Sequence, residues 1–124
     1  MVLINSFAPS CRIITLRQGD EVAARGAFVR AIGQADEILS KTAEYYSALD
    51  AKGLALCGLA LCRGAATLRP YAHAIDDAIE TFRKARKIAP HAGIVKRNLR
   101  LFDELAKCDT EGILKDVRKA VEGV

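Results

Sequence analysis

From about residue 20 onward, apolar residues recur every three or four positions, the spacing that gathers them on one face of an α-helix. Phe28, Ile32, Ala35, Leu39, Ala43 and Tyr46 make the first such stripe. It predicts a helix that starts near Asp20, an N-cap with Glu21 in the first turn, and is the longest in the chain. Residues 51–62 read AKGLALCGLALC, apolar on nearly every side. That pattern predicts a buried central helix, with Asp50 as its cap. Gly64 ends it, residues 65–69 form a loop, and Pro70 suits the first turn of a third helix. The third helix carries Tyr71, Ala74, Ile75, Ala78, Ile79, Phe82 and Ala85 on one face, and Pro90 stops it. A fourth, from about Ala92, carries Val95, Leu99, Phe102 and Ala106. Asp109 or Thr110 caps a short fifth helix with Ile113, Leu114, Val117 and Val121.

Residues 1–19 have no helical period, and Pro9 argues against a helix there. They form an irregular or extended N-terminal arm ahead of a single domain over residues 20–124, since no linker is long enough to divide the rest. The expected class is all-α: about five helices in antiparallel, stacked hairpins. Glycine inside a helix costs roughly 1 kcal/mol against alanine. Gly53 and Gly58 therefore mark places where a neighbour must come close, with Gly58 predicted at a helix crossing.

The middle of the chain resembles a tetratricopeptide repeat. That family's helical hairpin follows W-x2-L-G-x2-Y and then A-x3-F with a closing proline. Leu54, Cys57, Gly58 and Leu61 take the first positions, and Ala78, Phe82, Ala85 and Pro90 take the second set. About eight extra residues separate the two parts, roughly Ala65 to Ala72, which implies an enlarged turn. Asn98 and Leu99 match the next repeat, but Arg100 stands where glycine is expected and Asp103 where an aromatic is expected. The resemblance implies that Phe82 fills the gap between hairpins and that a concave groove holds a peptide or partner helix. It places the groove on the first helix of each hairpin, at Lys52, Ala55 and Leu59, then Arg97, Asn98 and Leu101. Some family members clamp a terminal carboxylate at such positions; here only Arg97 and Asn98 are of the right type.

Composition narrows the remaining choices. At 124 residues and 13.4 kDa, with 51% apolar and 27% charged residues, the chain can bury a core and remain soluble. A disordered chain, a collagen-like fibre and a disulfide-stapled miniprotein are excluded. Cys57 and Cys62 are five apart, roughly 140° around a helix, which suits neither a redox pair nor a zinc site. With Cys11 and Cys108 they are expected to be free thiols in a reducing compartment. Neither a signal peptide nor a run long enough to span a bilayer is apparent, so the expected location is the cytoplasm, with no membrane partner.

The net charge of +4 is unevenly spread. Arg83, Lys84, Arg86, Lys87, Lys96, Arg97 and Arg100 lie within residues 83–100 without one acid, leaving twelve basic and fifteen acidic residues elsewhere. Lys96 and Arg97 stand near the start of the fourth helix, where the dipole disfavours cations by a few tenths of a kcal/mol, roughly. A bound anion would relieve that conflict.

Catalytic chemistry lacks its parts. His73 and His91 have no second histidine or cysteine at ligand spacing, and Asp76, Asp77 and Glu80 suit a solvated face. The expectation is a non-enzyme without metal or cofactor that binds a protein or peptide. Its expected partner contacts are Lys52, Ala55, Leu59, Lys96, Arg97, Asn98, Arg100 and Leu101. The alternatives are an accessory factor that holds nucleic acid or an acidic protein through residues 83–100, and a structural oligomerisation domain. Aromatic residues are absent from residues 83–101, so single strands have nothing to stack on. Apolar positions off the main stripe (Val22, Val29 and Ile38), together with the fifth helix, point to a homodimer.

Overall fold

A helix with no polar face has no side to turn to water, and the run around residues 48–59 takes the centre of this molecule accordingly. The computed structural model describes residues 21–61, 73–107, 109 and 112–123. Among them are five helices and no strand: α1 (Glu21–Lys41), α2 (Tyr46–Leu61), α3 (Ala74–Ile88), α4 (Ala92–Ala106) and α5 (Lys115–Glu122). The expected arm, the Asp20 cap, the loop at 65–69, Pro70, Cys11, Cys62, Cys108 and Thr110 lie outside the described residues.

From Ala48 to Leu59 every residue of α2 except Lys52 is buried. α1 packs on one side of α2 and α3 on another, α5 closes over α3, and α4 touches both α2 and α5. Only residues 42–45 join α1 to α2, so two packed helices must run antiparallel. Phe28, Phe82, Phe102, Leu54, Leu59 and Leu105 are among the fully buried side chains of the shared core.

The two glycines of α2 decide how close its neighbours come. They are five residues apart, roughly 140° around the helix, and so serve two different neighbours. The ring of Phe28 from α1 lies over Gly58, where a Cβ would sit 2.3 Å from Cζ. The ring of Phe82 from α3 lies over Gly53, where a Cβ would sit 2.7 Å from Cζ. Phe82 thus packs inside its own hairpin rather than between hairpins. Each fully buried phenylalanine stabilises by roughly 1.5–3 kcal/mol, more than the ~1 kcal/mol that helical glycine costs.

Helix boundaries differ from the pattern at two places, the start of α2 and the start of α5. The stripe ran on through Ala43 and Tyr46, but α1 ends at Lys41, and Tyr46 opens α2. Thr42, Ala43, Glu44 and Tyr45 are all exposed, so continuing the helix would have buried nothing. A new helix begins instead, with Ala48 and Leu49 N–H groups donating to the Tyr45 carbonyl at 3.1 and 3.2 Å. α2 therefore starts five residues earlier than expected, and Asp50 is an interior position rather than a cap. The other stops agree with their chemistry. Ala89, which leaves helical geometry just before Pro90, donates its N–H to Ala85 O at 2.8 Å as the last bond of α3. The start of α5 does not: Leu114 stands at its N-cap, so Ile113 and Leu114 precede the helix, and Asp109 caps the turn before it by accepting from their N–H groups at 3.0 and 2.9 Å. Gly123 closes α5 at φ 84°, a left-handed position that suits glycine.

Leu114, Val117, Ala120 and Val121 are buried within the chain. Most of the apolar face expected of the fifth helix is therefore used internally, with Ile113 left exposed.

If ring seating sets the fold, Gly58→Ala will destabilise by about 1–3 kcal/mol, although alanine is the better helix former. Gly33, in α1, has no atom within 4 Å of its would-be Cβ. Gly33→Ala should stabilise by about 0.5–1 kcal/mol. Urea midpoints of the two variants, measured together, check both signs.

Candidate functional site

Three helices each send one polar side chain to the same buried point. Asp50 of α2, Arg86 of α3 and Asn98 of α4 are only 4%, 5% and 7% exposed. Arg86 Nη2 donates to both Asp50 carboxylate oxygens, at 2.6 Å to Oδ1 and 2.5 Å to Oδ2. Asn98 Nδ2 donates to Asp50 Oδ2 at 3.0 Å and to the Ile94 carbonyl at 2.9 Å. Arg86 Nε and Nη1 are buried without an acceptor among the protein atoms. Its aliphatic stem is covered by Gly123 at the end of α5, where a Cβ would lie 3.4 Å from Cγ.

Burial pushes the Asp50 carboxyl above its ordinary value of 3.8. The charge and hydrogen bonds of Arg86, the bond from Asn98 and the charge of Arg97 oppose that push without cancelling it. For this carboxylate the loss of water outweighs the attraction of its partners, as is common in buried pairs.

Of this cluster only Asn98 was among the expected site residues; Asp50 and Arg86 were not, and their signal was positional. Arg86 stands four residues after Phe82, and Asn98 four before Phe102, so both occupy the buried stripe of their helix. A polar residue on a buried stripe needs a partner. The partner was Asp50, an acid inside an otherwise apolar helix. Arg86 accordingly leaves the basic surface to which its neighbours in sequence assigned it.

Beside the cluster, between α2 and α4, lies a small pocket. Tyr46, Ser47, Asp50, Ala51 and Leu54 line it from α2, and Ile94, Arg97, Asn98 and Leu101 from α4. Its volume is about 110 Å³. Three of the expected contacts, Arg97, Asn98 and Leu101, are thus brought together. Lys52 is not with them: it pairs with Asp36 at 2.6 Å and lines a separate groove over α1, α2 and α3. Ala55 and Leu59 are corrections. They are 1% and 0% exposed, turned into the core because α2 is covered on almost every side, and present nothing to a partner.

Lys96 and Arg100 are exposed on the outer face of α4. Together with Arg97 they form no ion pair among the described residues, whereas Lys84 pairs with Glu80 at 3.6 Å and Arg118 with both Asp103 and Glu122. His73 and His91 begin α3 and α4 without a side-chain capping bond. Cys57 is a free, fully buried thiol, which burial and the charge of Asp109 push up, away from thiolate formation. Among the described residues no group of three His, Cys, Asp or Glu side chains is arranged to hold a metal ion, and no helix is long and apolar enough to cross a membrane. Set against known proteins, the chain matches no family model, no curated protein and no solved structure.

The buried pair yields a prediction with a defined sign. Arg86→Met alone strands a carboxylate and should destabilise by about 3–5 kcal/mol at neutral pH. Asp50→Leu with Arg86→Met should be neutral or up to ~4 kcal/mol more stable, since Asn98 keeps its bond to Ile94 O. The native Asp50 carboxyl titrates above 3.8, so the folded chain takes up that proton first as the pH falls. This group therefore adds stability to the natural chain on acidification, over the interval from its raised native value down to 3.8. The advantage of the double variant should be largest at neutral pH and shrink across that window. Denaturation curves at several pH values check it.

Proposed function

We propose that the chain is a non-catalytic helical scaffold, similar to tetratricopeptide repeats, that works in the cytoplasm by holding a peptide or a partner helix between α2 and α4. The observation that carries this reading is the position of the pocket. It opens between the first helices of two successive hairpins, α2 with α3 and α4 with α5, where the resemblance expects the groove. Its walls combine apolar contacts from Ala51, Leu54, Ile94 and Leu101 with polar groups from Tyr46, Ser47, Arg97 and Asn98. Packing of α2 on α4 and of α3 on α5 agrees with stacked hairpins. At about 110 Å³ the pocket is well below the ~300–1,000 Å³ of small-molecule sites. It suits one anchoring side chain of a larger partner.

Nucleic-acid binding through residues 83–100 is the weaker reading, because that segment is not one surface. Arg86 is buried against Asp50, and Lys84 is engaged by Glu80. A self-association role keeps less support once most of the α5 face is used internally.

Capture of partners from native lysate separates the readings. A groove partner should survive a rise to about 0.5 M salt, where screening has a range of only a few ångströms. It should be lost with Leu101→Asp. Capture that disappears in salt, ignores Leu101→Asp and is replaced by duplex DNA of any sequence would overturn the groove in favour of backbone electrostatics.

A further inference from the structure

The pocket between α2 and α4 has one firm wall and one weakly held wall. On the α2 side Asp50, Ala51 and Leu54 are buried, so the pocket as it stands shows a partner little of its floor. On the α4 side no residue from Ala92 to Arg97 is buried. The opening turns of α3, by contrast, bury Ala74 and Ala78. We infer that the first two turns of α4, residues 92–98, are a lid on this pocket, which opens by local unfolding when Asn98 lets go of Asp50. That the lid admits a partner rests on the groove reading above; the opening itself does not.

Local chemistry in these turns favours opening. His91 gives α4 no side-chain capping bond, and no acid stands in its first turn. Gly93 has no atom within 4 Å of its would-be Cβ. The helical glycines of α2 are offset by the rings seated on them, whereas this one carries no such neighbour. Ile94 and Val95 are β-branched and only half-buried. Segments with few buried apolar contacts open at a lower free energy than the molecule as a whole.

One side chain holds the lid shut. Asn98 is the first buried residue of α4. Its Nδ2 donates to Asp50 Oδ2 on α2 at 3.0 Å and to the Ile94 carbonyl in the first turn of its own helix at 2.9 Å. It thereby ties that turn to α2. Phe102 and Leu105 bury the second half of α4 in the shared core, so that half stays docked when the first is released. Asp50 is left with Arg86 as its partner when Asn98 departs, and no bare carboxylate is created. Opening uncovers Asp50, Ala51 and Leu54. A partner that covers this floor binds only the open fraction, and its apparent affinity is scaled by that fraction.

Amide hydrogen exchange of the full chain, followed residue by residue by NMR, tests the lid without any partner. The N–H groups of residues 95–98 are bonded within α4, that of Val95 to His91 O at 3.0 Å. They should nevertheless exchange at least about tenfold faster than those of residues 54–59 in α2. Ile32→Val, in α1, should speed the α2 amides and leave residues 95–98 unchanged, because their opening does not pass through global unfolding. Asn98→Ala should speed residues 95–98 by about tenfold. Gly93→Ala, which meets no neighbour, should slow them, and it decides alone if Asn98→Ala fails to fold. Exchange of residues 95–98 in step with α2, including through Ile32→Val, overturns the lid, as does indifference to either α4 variant in a folded chain. Either result leaves the groove reading to its own test of partner capture.

Discussion

Asp50, Arg86 and Asn98 bring α2, α3 and α4 to one buried point, and the relative placement of those helices depends on that contact. Apolar side chains tolerate sliding by a fraction of a turn, since dispersion has little direction. A carboxylate that takes two bonds from a guanidinium and one from an amide does not. The cluster is expensive, because burial of Asp50 outweighs what its partners return. What it contributes is register: α4 sits against α2 at the height where Asn98 reaches Asp50, and the pocket lies directly beside that meeting point.

Packing around the cluster is organised by rings on glycines. Phe28 over Gly58 and Phe82 over Gly53 draw α1 and α3 close to α2 from different directions. With its sides occupied, α2 has almost no surface left for a partner, which is why Ala55 and Leu59 belong to the core. Facing α4, only the half-buried Tyr46 and Ser47 of α2 stay accessible, while Asp50, Ala51 and Leu54 form the buried floor of the pocket. The shape of this groove is therefore a consequence of how the core is filled, and both helices supply polar groups to it, Tyr46, Ser47 and Asp50 from α2 and Arg97 and Asn98 from α4.

Charges on the surface divide in the same way. Some of those on α3 and α5 have partners within reach, as Glu80 with Lys84 and Glu122 with Arg118 show. Exposed pairs of this kind contribute roughly 0–1 kcal/mol each and act mainly on solubility. Lys96 and Arg100 form no ion pair among the described residues, as Arg83, Lys87, Lys115 and Lys119 form none, while the charge of Arg97 acts on Asp50. The basic segment of the sequence is thus divided in the structure: Arg86 is buried in the core, Lys84 is engaged by its own helix, and Arg83, Lys87, Lys96, Arg97 and Arg100 are exposed on two helices.

The sequence by itself determined that the fold is all-α, that the first helix is the longest, that α2 lies at the centre and that Pro90 ends α3. These follow from period, from Gly and Pro, and from apolar content, which act within a few residues along one helix. Gly58 was legible for the same reason, since a helical glycine in an apolar run signals a close neighbour. Only the tertiary structure decided which neighbour that was, where α1 gave way to α2, and what became of Asp50, Arg86 and Lys52. The break after Lys41 depends on whether residues 42–45 would find anything to bury against. The role of Asp50 depends on partners 36 and 48 residues away, a separation at which local period carries no information. A charge on a helix is a cap, a surface group or a buried tie according to what the rest of the chain brings to it, and that is settled by packing.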